Sequence, residues 1–107
     1  NASNCPQDLI KQISDFLQLQ LPELKSQTEQ YSSDYFKHHQ NVTDLSEIIE
    51  SGRYPNGVQV RPNELRGLKQ DLCQEKSDTN KALRAFKRIK KTYEQCEMNI
   101  EIIEQVL

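Results

Sequence analysis

The chain has 107 residues, a formal net charge of −2, 35% hydrophobic residues and 28% charged residues. This length suits one domain, and the small negative charge gives no global basicity that would favour nucleic acid. Because hydrophobic residues are few for a self-sufficient core, we predict a single helical domain over residues 1–107 whose core is shared with a partner.

The first predicted helix covers about residues 6–51. Pro6 suits the first helical turn, and Gly52 suits a left-handed stop after Ser51. Pro22 predicts a kink or a break, because proline lacks the N–H and clashes with the preceding turn. Apolar residues recur at helical spacing before Pro22, and a seven-residue repeat follows it: Leu24, Thr28, Tyr31, Tyr35, His38, Val42, Leu45 and Ile49.

A loop is predicted between residues 51 and 62, where glycine and proline are frequent and Asn56-Gly57 is a strong turn signal. Its larger side chains either fold back onto the helix ends or present an apolar finger with flanking arginines to a partner. We call these residues the tip loop: Arg53, Tyr54, Val58, Val60 and Arg61.

The second predicted helix covers about residues 62–107 and is continuous, although Ser77-Asp78 offers an alternative start for a separate helix. Its core residues form two rows. The first row is Leu65, Leu72, Thr79, Phe86, Tyr93, Ile100 and Leu107; the second is Leu68, Glu75, Ala82, Ile89, Cys96 and Ile103. Such a 3,4 spacing places both rows on one narrow stripe that another helix must cover.

Two arms of similar length joined by one loop predict an all-α fold, a long antiparallel helical hairpin or coiled coil. Two alternatives remain: a three-helix bundle if the chain breaks at Pro22, and a four-helix bundle if two copies dimerise. The chain ends on Leu107 in mid-heptad without a stop signal, which predicts a fragment of a longer coiled-coil protein.

Folding the sequence about Gly57 brings the polar interruptions of both arms to one level. We call these residues the register layer: Tyr35, His38, Glu75 and Thr79. A buried polar layer costs stability but fixes alignment, because a slipped register would leave Glu75 without a partner. We predict a polar contact between His38 and Glu75.

A metal site is the alternative interpretation of this region, since the hairpin brings Cys73 close to His38 and His39, and Glu75 adds a third type of ligand. Adjacent histidines on a helix point in different directions, however, and a closed zinc site needs four ligands. We therefore predict no bound metal and no cofactor.

The same folding brings the first and last residues together, where the apolar stripe is wider than a two-helix contact can cover. We call these residues the base surface: Leu9, Ile13, Phe16, Leu19, Met98, Ile102 and Val106. The base surface predicts association with a protein partner, as a homodimer or a hetero-complex formed by helix packing.

A basic patch on the second helix has six cations in eleven residues: Lys81, Arg84, Lys87, Arg88, Lys90 and Lys91. It allows phosphate binding on a lipid membrane surface or nucleic acid as a second alternative function. The favoured interpretation is a charged flank, because an acidic block with Glu94 and Glu104 follows and would specify an antiparallel partner helix.

No catalytic triad, glycine-rich phosphate loop or Cys-x-x-Cys pair appears in the sequence, so we expect no enzymatic activity. Three cysteines without framework spacing favour an intracellular, cytoplasmic location. Sequons at Asn1 and Asn41 instead suit a secreted, glycosylated helical-bundle ligand with cytokine-like architecture, the first alternative. The leading hypothesis is a coiled-coil scaffold module that mediates protein association within a larger complex.

Overall fold

A computed structural model of the protein describes residues 6–107. It contains two helices, α1 (Pro6–Ser51) and α2 (Pro62–Val106). They pack against each other in antiparallel orientation, so the predicted all-α helical hairpin is confirmed. Asn1 of the first sequon and Cys5 lie outside the described residues. Neither helix has an apolar stretch that would allow it to cross a lipid bilayer.

The helix α1 continues through Pro22, so a break, one of the two outcomes predicted there, is not present. Pro22 is exposed, while Leu21 and Leu24 on either side of it are half-buried. Burial of these two leucines offsets part of the cost of proline, and the hydrogen bond that Pro22 cannot make would have been to Gln18, an exposed residue. Without a break there is no separate third helix in the described residues, and the three-helix alternative is wrong as well.

The helix α2 is continuous, as predicted. It passes Ser77-Asp78 without interruption, and Gly67 is tolerated inside it. Every member of its two core rows is buried or half-buried except Leu107, which is exposed. The seven-residue repeat therefore predicts the packed stripe of α2 correctly up to its last residue.

One core position of α1 is predicted wrongly. Tyr31 is 42% exposed, and the neighbouring Ser32 is half-buried instead. The ring of Tyr31 lines a surface groove beside Ala82 and Ala85. A tyrosine in this position keeps its hydroxyl in water, while its ring still covers apolar surface.

The chain divides into two compact units, and each helix contributes a segment to both. Unit 1 comprises the residues up to Gln30 together with Phe86–Leu107, and unit 2 comprises Tyr31–Ala85. The buried residues of unit 1 are Ser14, Cys96 and Ile100, whereas Ala82 is the buried residue of unit 2 among the residues described. In unit 1 the thiol of Cys96 donates a weak hydrogen bond of 3.6 Å to the carbonyl of Leu17.

The loop between the helices forms a small ordered turn. The N–H of Gly57 donates to the carbonyl of Tyr54 (2.9 Å), and the N–H of Tyr54 donates to the carbonyl of Val58 (2.8 Å). Pro55 presets the turn, and Gly57 has φ of 87°, a left-handed conformation that favours glycine. The predicted turn at Asn56-Gly57 is present.

The turn extends into a short antiparallel pairing that the sequence pattern did not predict. Arg53 and Gln59 form an antiparallel β-bridge, and the N–H of Val60 donates to the carbonyl of Gly52 (2.8 Å). Gly52 ends α1 with φ of 70° and donates its N–H to the carbonyl of Ile48 (2.9 Å). These bonds satisfy backbone groups that the end of the helix would otherwise leave unpaired.

Candidate functional site

All residues of the base surface are exposed and belong to unit 1. Their exposed fractions run from 49% for Leu9 to 80% for Leu19. They alternate along the chain with core residues such as Ile10 and Ile100, which are half-buried and buried. The two-helix contact of unit 1 therefore leaves a second set of large apolar side chains in solvent.

The two flanks of the core stripe can be identified from heptad positions, with the core rows at positions a and d. In an antiparallel pair, the g positions of both helices lie on one flank and the e positions on the other. In unit 1, Gln20 and Thr92 line one groove, and both are at g positions. On the other flank, the amide of Gln18 donates to the carboxylate of Glu104 (3.3 Å), and both are at e positions.

These two flanks of unit 1 differ completely in charge over residues 6–20 and 92–106. The g, c and f positions carry no charge: Pro6, Leu9, Gln12, Ile13, Phe16, Leu19, Gln20, Thr92, Gln95, Met98, Asn99, Ile102, Gln105 and Val106. All charged residues are at e and b positions: Asp8, Lys11, Asp15, Glu94, Glu97, Glu101 and Glu104. The base surface thus lies on an uncharged face, opposite an acidic one.

The sequence pattern predicted the apolar surplus but not this segregation of charge. The base surface was predicted as a widened stripe, without regard to the side on which each helix carries it. The signal was present in the phase of the heptads, because an antiparallel arrangement fixes which flanks of α1 and α2 become neighbours. Further helices can pack against an uncharged apolar face of this kind and bury it.

The polar contact expected within the register layer is present in unit 2. His38 Nδ1 lies 2.8 Å from Glu75 Oε2, and His38 Nε2 lies 3.8 Å from Asp34 Oδ1. The side chains of His38 and Glu75 are 26% and 24% exposed, so the pair is partly shielded from solvent. The hydrogen bond with Glu75 raises the pKa of His38, burial opposes the shift, and the charges of Glu75, Asp34 and Asp78 add to it.

The two other residues of the register layer have local partners. The hydroxyl of Thr79 donates to the carbonyl of Glu75 in its own helix (2.7 Å). The ring of Tyr35 packs against Phe36 at 5.2 Å between centroids and stacks on His39 at 5.8 Å. The register layer therefore consists of one polar pair between the helices, His38 and Glu75. Thr79 hydrogen-bonds to the backbone of its own helix, and Tyr35 packs against rings of its own helix.

Asp78 joins His38 and Glu75 in a cluster that the sequence analysis did not identify. One potential ligand atom from each of the three residues lies within 4.8 Å of the others. His39 and Cys73, which the metal interpretation included, are exposed and do not belong to this cluster. Cys73 is at a b position, on the flank opposite to Asp78, because the helical phase separates side chains five residues apart.

The residues of the basic patch lie on the solvent-facing side of α2. Its six residues are exposed and occupy b, c, e and f positions of α2. Lys81 and Arg84 belong to unit 2, and the other four belong to unit 1. Lys90 lies 4.0 Å from Glu94 and 5.9 Å from the ring centroid of Phe86.

The tip loop combines covered and exposed side chains within unit 2. The hydroxyl of Tyr54 donates to the carboxylate of Glu64, and this hydrogen bond raises the pKa of Tyr54. Tyr54 and Val60 are half-buried, so these two fold back as the capping interpretation expects. Val58 is 56% exposed, and Arg53 donates to the carbonyl of Gly57 (3.1 Å) within the loop. The carbonyl of the exposed Arg61 accepts the N–H of Glu64 (3.0 Å) at the start of α2.

The thiols and the second sequon occupy ordinary positions. Cys73 and Cys96 are both free, the first exposed and the second buried. Asn41 is half-buried inside α1, and the hydroxyl of Thr43 donates to the carbonyl of His39 (3.2 Å).

Comparisons with protein-family models, with curated proteins and with solved structures give no significant match to this chain. The arguments about function therefore depend on its own residues and their geometry.

Proposed function

We propose that this protein is a non-enzymatic coiled-coil assembly module that pairs with a second copy of itself through the base surface. One observation carries the proposal: the residues of the base surface lie on a flank of unit 1 that has no charge over residues 6–20 and 92–106. Water contacts these side chains in the single chain, and burying them against other helices is favourable at about 25 cal/mol per Å² of apolar area.

The size of the base surface supports a stable interface. A typical monomer exposes no contiguous apolar patch larger than roughly 300–600 Å², and a standard interface buries on the order of 800 Å² per partner. The base surface has seven large side chains, most of them more than half exposed. Such a set of exposed apolar side chains favours association.

Self-pairing is favoured by the absence of charge. A two-fold axis brings the same patch of two copies together, so a patch with a net charge of one sign would repel its copy. The flank that holds Ile13 and Ile102 has no charge to repel a second copy, while Glu97 and Glu104 remain on the opposite flank in water. Two helices from each copy then form a four-helix bundle.

An intracellular location belongs to the same proposal. The exposed thiol of Cys73 is free, and free exposed thiols persist in reducing compartments.

Sedimentation equilibrium over a wide range of concentrations tests the self-pairing. For the wild type, we expect the mass to rise from that of one chain to that of two as the concentration increases. The Phe16→Lys variant should remain a monomer at every concentration. Gln18→Lys is the matched control, because it adds the same charge two residues away on the opposite flank. A wild type that is monomeric throughout would contradict the self-pairing, and equal effects of the two lysines would contradict the role of the uncharged flank.

A further inference from the structure

A cluster of mixed nitrogen and oxygen donors lies in unit 2, and neither the base surface nor self-pairing uses it. His38 comes from α1, and Glu75 and Asp78 come from α2. Their potential ligand atoms lie within 4.8 Å of one another, and all three side chains are half-buried. Together they present one imidazole and two carboxylates to a common point.

The two nitrogens of His38 face different carboxylates, as the imidazole of a metal site requires. A metal-bound histidine generally donates its second ring N–H to a carboxylate or carbonyl, which fixes the tautomer and orients the ring. Nδ1 points to Glu75 at 2.8 Å, and Nε2 lies 3.8 Å from Asp34 in the preceding helical turn. With Nδ1 as the ligand, Asp34 is the neighbouring carboxylate that could accept the N–H of Nε2 once a side-chain rotation shortens the 3.8 Å separation.

The charge around His38 also favours a cation. Three carboxylates, those of Asp34, Glu75 and Asp78, act electrostatically on the imidazole. Lys81 lines the same groove as Asp34 and Asp78 and supplies one positive charge. The excess of negative charge favours a divalent cation at this position.

We propose that His38, Glu75 and Asp78 bind a divalent transition-metal ion, with zinc as the preferred ion. An imidazole with two carboxylates matches the ligands of zinc, and three protein ligands leave the fourth tetrahedral position to water. Calcium and magnesium prefer sites made of oxygen ligands alone, which this set is not. Zinc–ligand distances of about 2.0–2.2 Å require the three side chains to converge by small rotations. The bound ion would link α1 to α2 within unit 2.

Calorimetric titration of the full chain with zinc chloride at neutral pH tests this site. We expect one zinc ion per chain, and at least a tenfold loss of affinity in Asp78→Asn and in His38→Gln. Asp78 lies outside the two core rows, so Asp78→Asn keeps the fold; circular dichroism verifies this for each variant. The matched controls are His39→Gln and Cys73→Ser, which change the neighbouring histidine and the exposed thiol and leave the affinity unchanged.

Cobalt(II) supplies a second measurement that does not depend on stability. Visible absorption bands of a four-coordinate nitrogen–oxygen site are expected in the wild type and absent in Asp78→Asn. The proposal is overturned by a wild type that takes up no zinc at millimolar concentration, by an Asp78→Asn variant with wild-type affinity, or by loss of binding in either control. None of these outcomes depends on self-pairing through the base surface.

Discussion

Unit 1 and unit 2 are built from the same two helices, but they differ in where their polar and apolar residues lie. In unit 1 the core is apolar or small, with Cys96 and Ile100 buried, and seven further apolar side chains lie exposed on an uncharged flank. In unit 2 the core stripe includes the His38–Glu75 pair, and the exposed large apolar side chains are Tyr31, Phe36 and Val58. The comparison teaches that one repeat can serve two purposes: polar core residues can specify alignment, and surplus apolar residues can form the interface that we propose.

The largest expected effect separates the core of unit 1 from its exposed face. Ile100→Ala removes a side chain that is only 8% exposed, and we expect a loss of about 2–4 kcal/mol in the free energy of unfolding. Ile102→Ala makes the same chemical change at a residue that is 52% exposed, and should cost the single chain much less while weakening association. Chemical denaturation at low protein concentration measures the first effect, and sedimentation measures the second. Equal losses of unfolding free energy would contradict the separation of core from interface.

The next effect tests the polar pair of unit 2. Glu75→Leu leaves His38 half-buried without its partner, and we expect a loss of about 1–3 kcal/mol, the usual cost of an unsatisfied polar group. The double variant with His38→Leu and Glu75→Leu replaces both partners by apolar residues and should recover this loss or exceed wild-type stability. Both are measured by urea denaturation.

In the double variant, the specificity of the helix alignment should fall even though stability is recovered. Because the double variant has no polar layer to penalise a slipped register, we expect it to populate additional associated species in sedimentation velocity. A double variant that is as unstable as Glu75→Leu would show that the pair contributes more than alignment.

Alanine substitutions at two glycines of unit 2 should have smaller effects on stability, and the effects should be opposite in sign. Gly57 adopts φ of 87°, and a Cβ there meets no atom within 4 Å, so Gly57→Ala adds backbone strain alone. We expect a loss of about 1 kcal/mol in stability. Gly67 lies inside α2 with equally open surroundings, and Gly67→Ala should stabilise by about 0.5–1 kcal/mol. Thermal unfolding of both variants measures the opposite signs, and two changes of the same sign would contradict the turn geometry.

The smallest effect is the pH dependence of unit 2 in the presence of a chelator. The pKa of His38 is raised in the folded state by its hydrogen bond with Glu75, so the folded protein binds this proton more tightly than the unfolded chain. The stabilisation is complete below the unfolded value of about 6.5 and is lost as pH rises through the folded pKa. Urea denaturation from pH 5 to 9 should show this loss in the wild type and not in His38→Gln. Equal losses of stability in the two proteins would show that groups other than His38 cause the pH dependence.

Much of the fold could be predicted from the sequence because its signals are local and periodic. Proline at the start of each helix and glycine after Ser51 set the ends to within one residue, and the core rows of α2 follow from the repeat. Pro22 was a weaker guide, since the local penalty of proline was smaller than the packing of the leucines around it. The contact between His38 and Glu75 could be predicted because one loop fixes the register of both arms.

The sequence by itself determined the periodicity, the helix ends and the apolar surplus of the base surface, because each is a property of residues near one another in the chain. The heptad phase contained the assignment of the flanks, but only the packed tertiary structure brought the matching flanks of α1 and α2 together. It thereby separated the uncharged face from Glu97 and Glu104, and it brought Asp78 into the cluster with His38. The physical reason is that a flank acquires its neighbour only when two helices pack in one direction and one register, and this choice depends on the whole interface.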